Sequence, residues 1–72
     1  MKAWVEAGQL RQWCDPYGHT DRWGTFLVIG LNHLRTEEQG DGSIWDIMTD
    51  VGLDWHFEKV IMHDSEVVSA DG

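Results

Sequence analysis

Cysteine and histidine, the residue types most often used for metal binding and catalysis, are few in this chain. Cys14 is the single cysteine, and the histidines are His19, His33, His56 and His63. Zinc favours tetrahedral sites built from such ligands, and only four residues separate Cys14 from His19. There is, however, no Cys-x-x-Cys or His-x-x-x-His pair to fix two ligands locally. We therefore expect no metal site and no cofactor.

Nucleophilic or acid-base catalysis has little support either. Cys14 would need a base at hydrogen-bond distance, whereas its neighbour Asp15 disfavours a thiolate, and a cysteine beside Trp13 is more often a small packing residue. His63 and Asp64 are adjacent, and adjacent residues of an extended chain point to opposite faces. The sequence predicts that the protein is not an enzyme.

Carboxylates dominate the charged residues. Thirteen Asp and Glu stand against five Lys and Arg, which gives a formal net charge of -8. This is the wrong sign for gripping phosphates, so direct nucleic-acid binding is not expected. The acids at Asp41, Asp46, Asp50 and Asp54 lack the Asp-x-Asp-x-Asp-Gly spacing of a calcium loop and are typical of solvated hairpin rims.

Aromatic residues give the most specific binding hypothesis. The chain has five Trp, one Tyr and two Phe. If a long first loop lies beside the third and fourth strands, one groove is lined by Tyr17, Trp23, Trp45 and Trp55. Such a groove would bind proline-rich peptides or, through cation-π contacts, methylated amines. The competing interpretation, which we favour, is that most of these rings fill the core.

These residues must be positioned by one small domain. The 72 residues suffice for a single hydrophobic core, so residues 1–72 are predicted to form one domain with its core at about residues 8–69. A lone cysteine excludes an internal disulfide and favours a reducing compartment, the cytoplasm. No apolar run reaches the length of a membrane span, and the first residues lack the pattern of a secretion signal. We expect no membrane association.

Five strands are predicted from β-prone residues with a period of two. In chain order they are residues 8–13 (GQLRQW), 24–34 (GTFLVIGLNHL), 43–50 (SIWDIMTD), the stretch around Trp55 and Phe57, and 66–69 (EVVS). Gly30 marks a bend or bulge in the long second strand. In the third strand, Trp45 and Ile47 are expected on one face, with Ile44 and Met48 on the other.

The connections are predicted to be irregular. Residues 15–23 form a long loop that contains Pro16, residues 35–42 (RTEEQGDG) form a hairpin connection, and residues 50–52 form a tight turn. The structure of residues 2–8 is left open.

The motifs carry a resemblance as well. The stretches AGQLRQW, GTFLVIG, WDIM before a glycine turn, and a closing EVVS resemble the strands of small SH3-like β-barrel proteins that are common in bacteriophage genomes. Residues 60–65 (VIMHDS) depart from that pattern because they lengthen the link into the last strand. The resemblance implies a five-stranded SH3-like barrel and an accessory or structural phage-type protein, in the host cytoplasm if phage-encoded, and transfers no catalytic residue.

Two functions follow from these observations. The interior of so small a barrel cannot hold all five tryptophans together with Leu27, Ile29, Leu31 and Met48. Some apolar side chains should therefore be exposed, which predicts a non-enzymatic module that binds a protein partner or a second copy of itself. The alternative is an acidic mimic of nucleic acid that inhibits a DNA-binding or DNA-cutting protein. The module should depend on Trp45 or Trp55, whereas the mimic should weaken steeply with salt.

Overall fold

The fold is mainly β, with five strands and two short helices. The computed structural model describes residues 4–14 and 24–69. The elements are β1 (Leu10–Trp13), β2 (Thr25–Leu31), α1 (His33–Gln39), β3 (Ile44–Thr49), β4 (Gly52–Phe57), α2 (Glu58–Asp64) and β5 (Ser65–Ser69).

All five strands form one antiparallel sheet with the order β4-β3-β2-β1-β5. The first four strands make a meander, and β5 returns to pair with β1. β4 and β5 are the two edges, so the sheet is not closed into a barrel. The prediction of five strands is confirmed, with each strand inside or close to its predicted range.

The long second strand is shorter than predicted and is irregular where expected. β2 ends at Leu31, because Asn32 caps the helix that follows. Its register with β3 shifts between Val28 and Gly30, and this confirms the predicted bulge at Gly30. The extra residue allows Val28 to face Ile47 and Leu31 to face Trp45 on the same side of the sheet.

The connection between β2 and β3 contains a helix where we expected irregular structure. The Asn32 side chain accepts a 2.9 Å hydrogen bond from the Arg35 amide, which satisfies one of the free N–H groups at the start of α1. Gly40 ends α1 at φ 71°, and its N–H donates to the Thr36 carbonyl over 3.1 Å. The prediction of unpatterned chain was wrong because these caps stabilise a seven-residue helix.

A second helix replaces the long link into the last strand. α2 begins directly after β4, where the Glu58 amide donates a 2.8 Å hydrogen bond to the Ser43 carbonyl. Ile61 is fully buried, and Val60 and Met62 pack against the same core. The helix crosses the inner face of the sheet and connects the edge strand β4 to the opposite edge strand β5. The stretch 60–65 is long because it must span this distance.

The core lies between α2 and what we call the inner face of the sheet. Its buried members are Val5, Trp13, Phe26, Val28, Ile47 and Ile61. Trp13 and Phe26 contribute the largest surface, with their ring centroids 4.5 Å apart. Because side chains alternate along a strand, Leu27 and Met48 point to the other, outer face.

The other end of the outer face is covered by α1. Ile44 is fully buried there, outside the main core, and its amide donates a 2.8 Å hydrogen bond to Thr36 Oγ1 of the helix. Phe57 lies directly opposite Ile44 on β4. The predicted alternation in β3 is thereby confirmed, with Trp45 and Ile47 on the inner face and Ile44 and Met48 on the outer face.

Candidate functional site

The four predicted groove residues are not brought together on one surface by the described residues. Tyr17 and Trp23 lie outside the residues that the structure describes. Trp45 is opposite His56, and Trp55 is opposite Asp46, in the β3–β4 ladder. Residues directly opposite each other share a face and neighbours along a strand do not, so Trp45 lies on the inner face and Trp55 on the outer face.

Both tryptophans are half-buried and already have partners. Trp45 packs against the core, and its Nε1–H donates a 3.0 Å hydrogen bond to Glu58 Oε2. The guanidinium carbon of Arg35 lies 4.7 Å from the Trp55 ring centroid, and Phe57 meets the same ring edge-on at 5.9 Å. These contacts are typical of aromatic residues packed within a fold, and they cover part of the ring surface that a ligand would need.

A continuous part of the exposed apolar surface lies on aliphatic side chains of the outer face, whereas Leu34, Val51 and Val68 are exposed elsewhere. Leu10 is opposite Leu27, Leu27 is opposite Met48, and Met48 is opposite Leu53. These four residues, here called the outer row, form one line across β1, β2, β3 and β4. Leu27, Met48 and Leu53 are 41%, 44% and 67% exposed, and Leu10 is half-buried.

A fifth aliphatic side chain extends this surface. Ile29 is two residues along β2 from Leu27 and is 46% exposed. Opposite residues on neighbouring strands have Cβ atoms about 5 Å apart, so the outer row is a continuous apolar strip rather than a set of isolated residues. Leu27, Ile29 and Met48 are exposed as predicted, whereas Leu31, which the same prediction included, is half-buried opposite Trp45 on the inner face.

Polar and acidic positions border the outer row on both sides. On one side Glu66 pairs with Gln12, and both are exposed. On the other side Asp46 accepts a 3.1 Å hydrogen bond from Asn32 Nδ2. The nearby turn adds the exposed Asp50. The strip therefore has an acidic surround.

Two of the three basic residues of the described chain lie at the outer face, beside α1 and β4. Arg35 lies over Trp55, and Lys59 Nζ is 5.5 Å from the Phe57 ring centroid. Arg11, the third, is buried on the inner side of the sheet. On α1, Glu37 and Glu38 are exposed and add further negative charge next to Arg35. At the outer face the exposed acids Asp50, Glu66, Glu37 and Glu38 therefore outnumber these two cations, so a partner would meet an excess of negative charge.

Comparison with protein-family models, with curated proteins and with solved structures finds no match. Neither described helix has the length and hydropathy needed to cross a membrane.

The cysteine, histidine and acidic side chains of the described residues form no metal-binding cluster. Within residues 4–14 and 24–69, no three His, Cys, Asp or Glu side chains are grouped so that they could hold a metal ion. Cys14 is exposed, and its amide donates a 2.8 Å hydrogen bond to the Asp64 carbonyl. His63 Nδ1 lies 2.6 Å from Asp64 Oδ1. The expectation that this adjacent pair diverges was wrong, because helix α2 replaces the extended chain on which it rested.

Arg11 is the residue whose role the sequence pattern did not reveal. It is buried, and all five of its N–H groups have acceptors, none of them a carboxylate. Its partners are the carbonyls of Trp4, Ile61 and Ser65 together with the side chains of Gln9 and Ser65. The signal was its spacing: Arg11 lies two positions before Trp13, so both share the inner face of β1.

This network of hydrogen bonds caps the C-terminal end of α2. The carbonyls of the last helical turn lack partners within the helix, and a cation there also complements the helix dipole. Arg11 Nη2 donates to the Ile61 carbonyl at 3.3 Å and to the Ser65 carbonyl at 3.1 Å. Burial lowers the pKa of the Arg11 guanidinium below its ordinary value, and the nearby charge of Cys14 partly opposes this shift. The arrangement is structural, since Arg11 is inaccessible to a ligand.

Proposed function

We propose that this chain is a non-enzymatic interaction module that binds a protein through its outer row. The observation that carries the proposal is continuity: four aliphatic side chains stand directly opposite one another on four strands, and three of them are exposed. Single exposed aliphatic residues are normal on soluble domains, whereas contiguous exposed patches mark interaction sites.

The size of the domain strengthens this argument. A domain of 72 residues has little apolar surface to spare, and burying a Leu or Met side chain stabilises a fold by about 1.5–3 kcal/mol. Leu27, Met48 and Leu53 give up much of that stabilisation by facing outward. A binding partner that covers the outer row would recover it.

The proposal extends to the framework that displays the row. We infer an SH3-like arrangement from the four-stranded meander, the return of β5 to β1, and the long segment between β1 and β2. The phage-type origin, the cytoplasmic location and a groove that involves Tyr17 and Trp23 remain predictions. Because Trp45 and Trp55 face opposite sides of the sheet, the outer row carries the proposed binding in place of the groove.

The experiment is photo-crosslinked capture from a lysate of the cells that produce the protein, together with molar mass by light scattering. We compare the unmodified chain with the double variant Leu27→Thr/Met48→Thr, since threonine suits a strand but removes the aliphatic surface. Leu34→Gln is the matched control, because Leu34 is also exposed and lies in α1, beyond the end of β2.

We expect the unmodified chain and Leu34→Gln to retain the same protein, or a second copy, and the double variant to lose it. Equal retention by all three proteins contradicts the proposal. The acidic-mimic alternative gives a different pattern: retention would survive in the double variant and disappear when exposed acids such as Glu37, Glu38 and Asp41 are replaced by amides.

A further inference from the structure

The geometry and charge of the outer face point to a particular class of partner, and this inference rests on the proposed function. We propose that the outer row binds a cationic amphipathic helix, about three turns long, that lies across the strands.

The length and spacing of the row match a helix. Strands in a sheet are about 4.8 Å apart, so the four residues of the outer row span about 14 Å. A helical stripe with side chains at i, i+4, i+7 and i+11 presents one about every 5 Å over about 16 Å. Its four side chains can therefore meet the four strands of the row, one on each strand. An extended peptide crossing the strands would repeat its side chains about every 7 Å and would lose this match.

The charge of the surface selects a basic partner. Glu66 and Asp50 are exposed beside the outer row, and Glu37 and Glu38 are exposed on α1, which covers the neighbouring part of the same face. A helix that places its apolar stripe on the row turns one flank towards Glu66 and Asp50, and the other towards α1, where Glu37 and Glu38 outnumber Arg35. Lys or Arg at the flanks would gain attraction and faster association, whereas Asp or Glu would be repelled.

The same charge argues against a second copy of this chain. Each copy carries a formal net charge of -8, so two copies would bring together two acidic surrounds. The small area of the outer row also argues against a second copy. A stable interface between globular proteins uses about 20–30 residues a side, far more than the outer row and Ile29 supply, whereas one short helix needs only such a strip.

The test uses a synthetic peptide of about 14 residues, with Leu at the i, i+4, i+7 and i+11 positions of a helix and Lys elsewhere. One control peptide has the same composition in an order that destroys the stripe, and a second keeps the stripe but replaces Lys with Glu. Fluorescence anisotropy measures the binding of each labelled peptide to the unmodified chain, to Leu27→Thr/Met48→Thr and to Leu34→Gln.

We expect the Leu/Lys helix to bind the unmodified chain at least about tenfold more tightly than either control peptide. The double variant should lose at least about tenfold in affinity, and Leu34→Gln should change it by less than about twofold. Equal binding of the striped and scrambled Lys peptides would mean attraction to net charge alone and would overturn the inference.

Two further outcomes separate this inference from the proposed function. If no peptide binds but capture of a protein still depends on Leu27 and Met48, the helix inference is overturned and the proposed function stands. If light scattering shows a dimer that the double variant abolishes, a second copy occupies the row and the inference is again overturned. If neither peptide binding nor capture depends on the row, both proposals fail.

Discussion

Arg11 Nε donates a 2.8 Å hydrogen bond to Ser65 Oγ, joining the first strand to the residue at which the last strand begins. Ser65 Oγ in turn donates to the Ile61 carbonyl of α2. Because β5 contacts the rest of the sheet only through β1 in the described part of the chain, this buried network fixes the position of both α2 and β5.

Replacement of Arg11 should therefore lower stability strongly. A lysine has three donors on a single atom and cannot reproduce the five-bond fork, so Arg11→Lys should cost about 2–3 kcal/mol of unfolding free energy. Arg11→Met removes every donor and leaves the carbonyls of Trp4, Ile61 and Ser65 without this partner, so its cost should reach about 4 kcal/mol. Urea denaturation followed by circular dichroism measures both.

The decisive result is whether Arg11→Met loses more unfolding free energy than Arg11→Lys. Gln12→Met is the matched control, because Gln12 is exposed on the same strand. If Arg11→Met were as stable as the unmodified chain, burial of the guanidinium would be neutral and the network would not hold α2 in place.

Gly40 should be required for its backbone conformation alone. It ends α1 at φ 71°, and a Cβ built there meets no atom within 4 Å, so a larger residue would cause strain without a clash. Gly40→Ala should cost about 1 kcal/mol, whereas Gly40→Asn should cost less because asparagine tolerates the left-handed region. Thermal unfolding of the two variants measures the difference. Equal stability of Ala and Asn variants would show that the chain ends α1 in another way.

The strands were predictable because their signals are local. Alternation around Trp45 and Ile47 and the glycine turn at Gly52 act over a few residues, so the faces of β3 and the β3–β4 hairpin follow from the sequence. The turn also fixes the register that sets Met48 opposite Leu53. The pairings of Leu10 with Leu27 and of Leu27 with Met48 do not follow in this way, because β1, β2 and β3 are joined by longer connections that leave the register open.

The helices and the buried arginine were not predictable in the same way. Isolated helices of seven residues are unstable in water, so α1 and α2 depend on caps and on packing against residues distant in sequence. Burial of Arg11 could not be predicted from residue type because arginine is rarely buried, and its acceptors come from residues more than 40 positions away as well as from Trp4 and Gln9. The groove hypothesis was based on residue type alone, whereas the faces of Trp45 and Trp55 depend on the register of the β3–β4 ladder.

Trp45 should be coupled to Glu58 and independent of Trp55. Its Nε1–H donates to Glu58 Oε2 at 3.0 Å, whereas Trp55 lies on the other face of the sheet. In double-mutant cycles, Trp45→Phe and Glu58→Ala should show a coupling energy of about 1 kcal/mol. Trp45→Phe and Trp55→Phe should be additive within about 0.5 kcal/mol. Strong coupling between the two tryptophans would contradict the assignment of opposite faces.

The two faces of the sheet should respond in opposite ways to the same chemical change. Leu27 and Val28 are neighbours in β2, and Val28 is buried on the inner face while Leu27 is exposed in the outer row. Val28→Thr places a hydroxyl in the core and should cost about 1–3 kcal/mol, whereas Leu27→Thr should change the unfolding free energy by no more than about 0.5 kcal/mol. Met48→Thr and Ile47→Thr form the corresponding pair in β3.

Urea denaturation of these four variants tests whether the outer row contributes to the stability of the isolated domain. If Leu27→Thr lost as much unfolding free energy as Val28→Thr, the outer row would be part of the folded core. That result would contradict its assignment as a binding surface. The expected asymmetry would leave the exposed aliphatic side chains with little stabilising role in the free protein, which is the property required of a surface that gains its energy on binding.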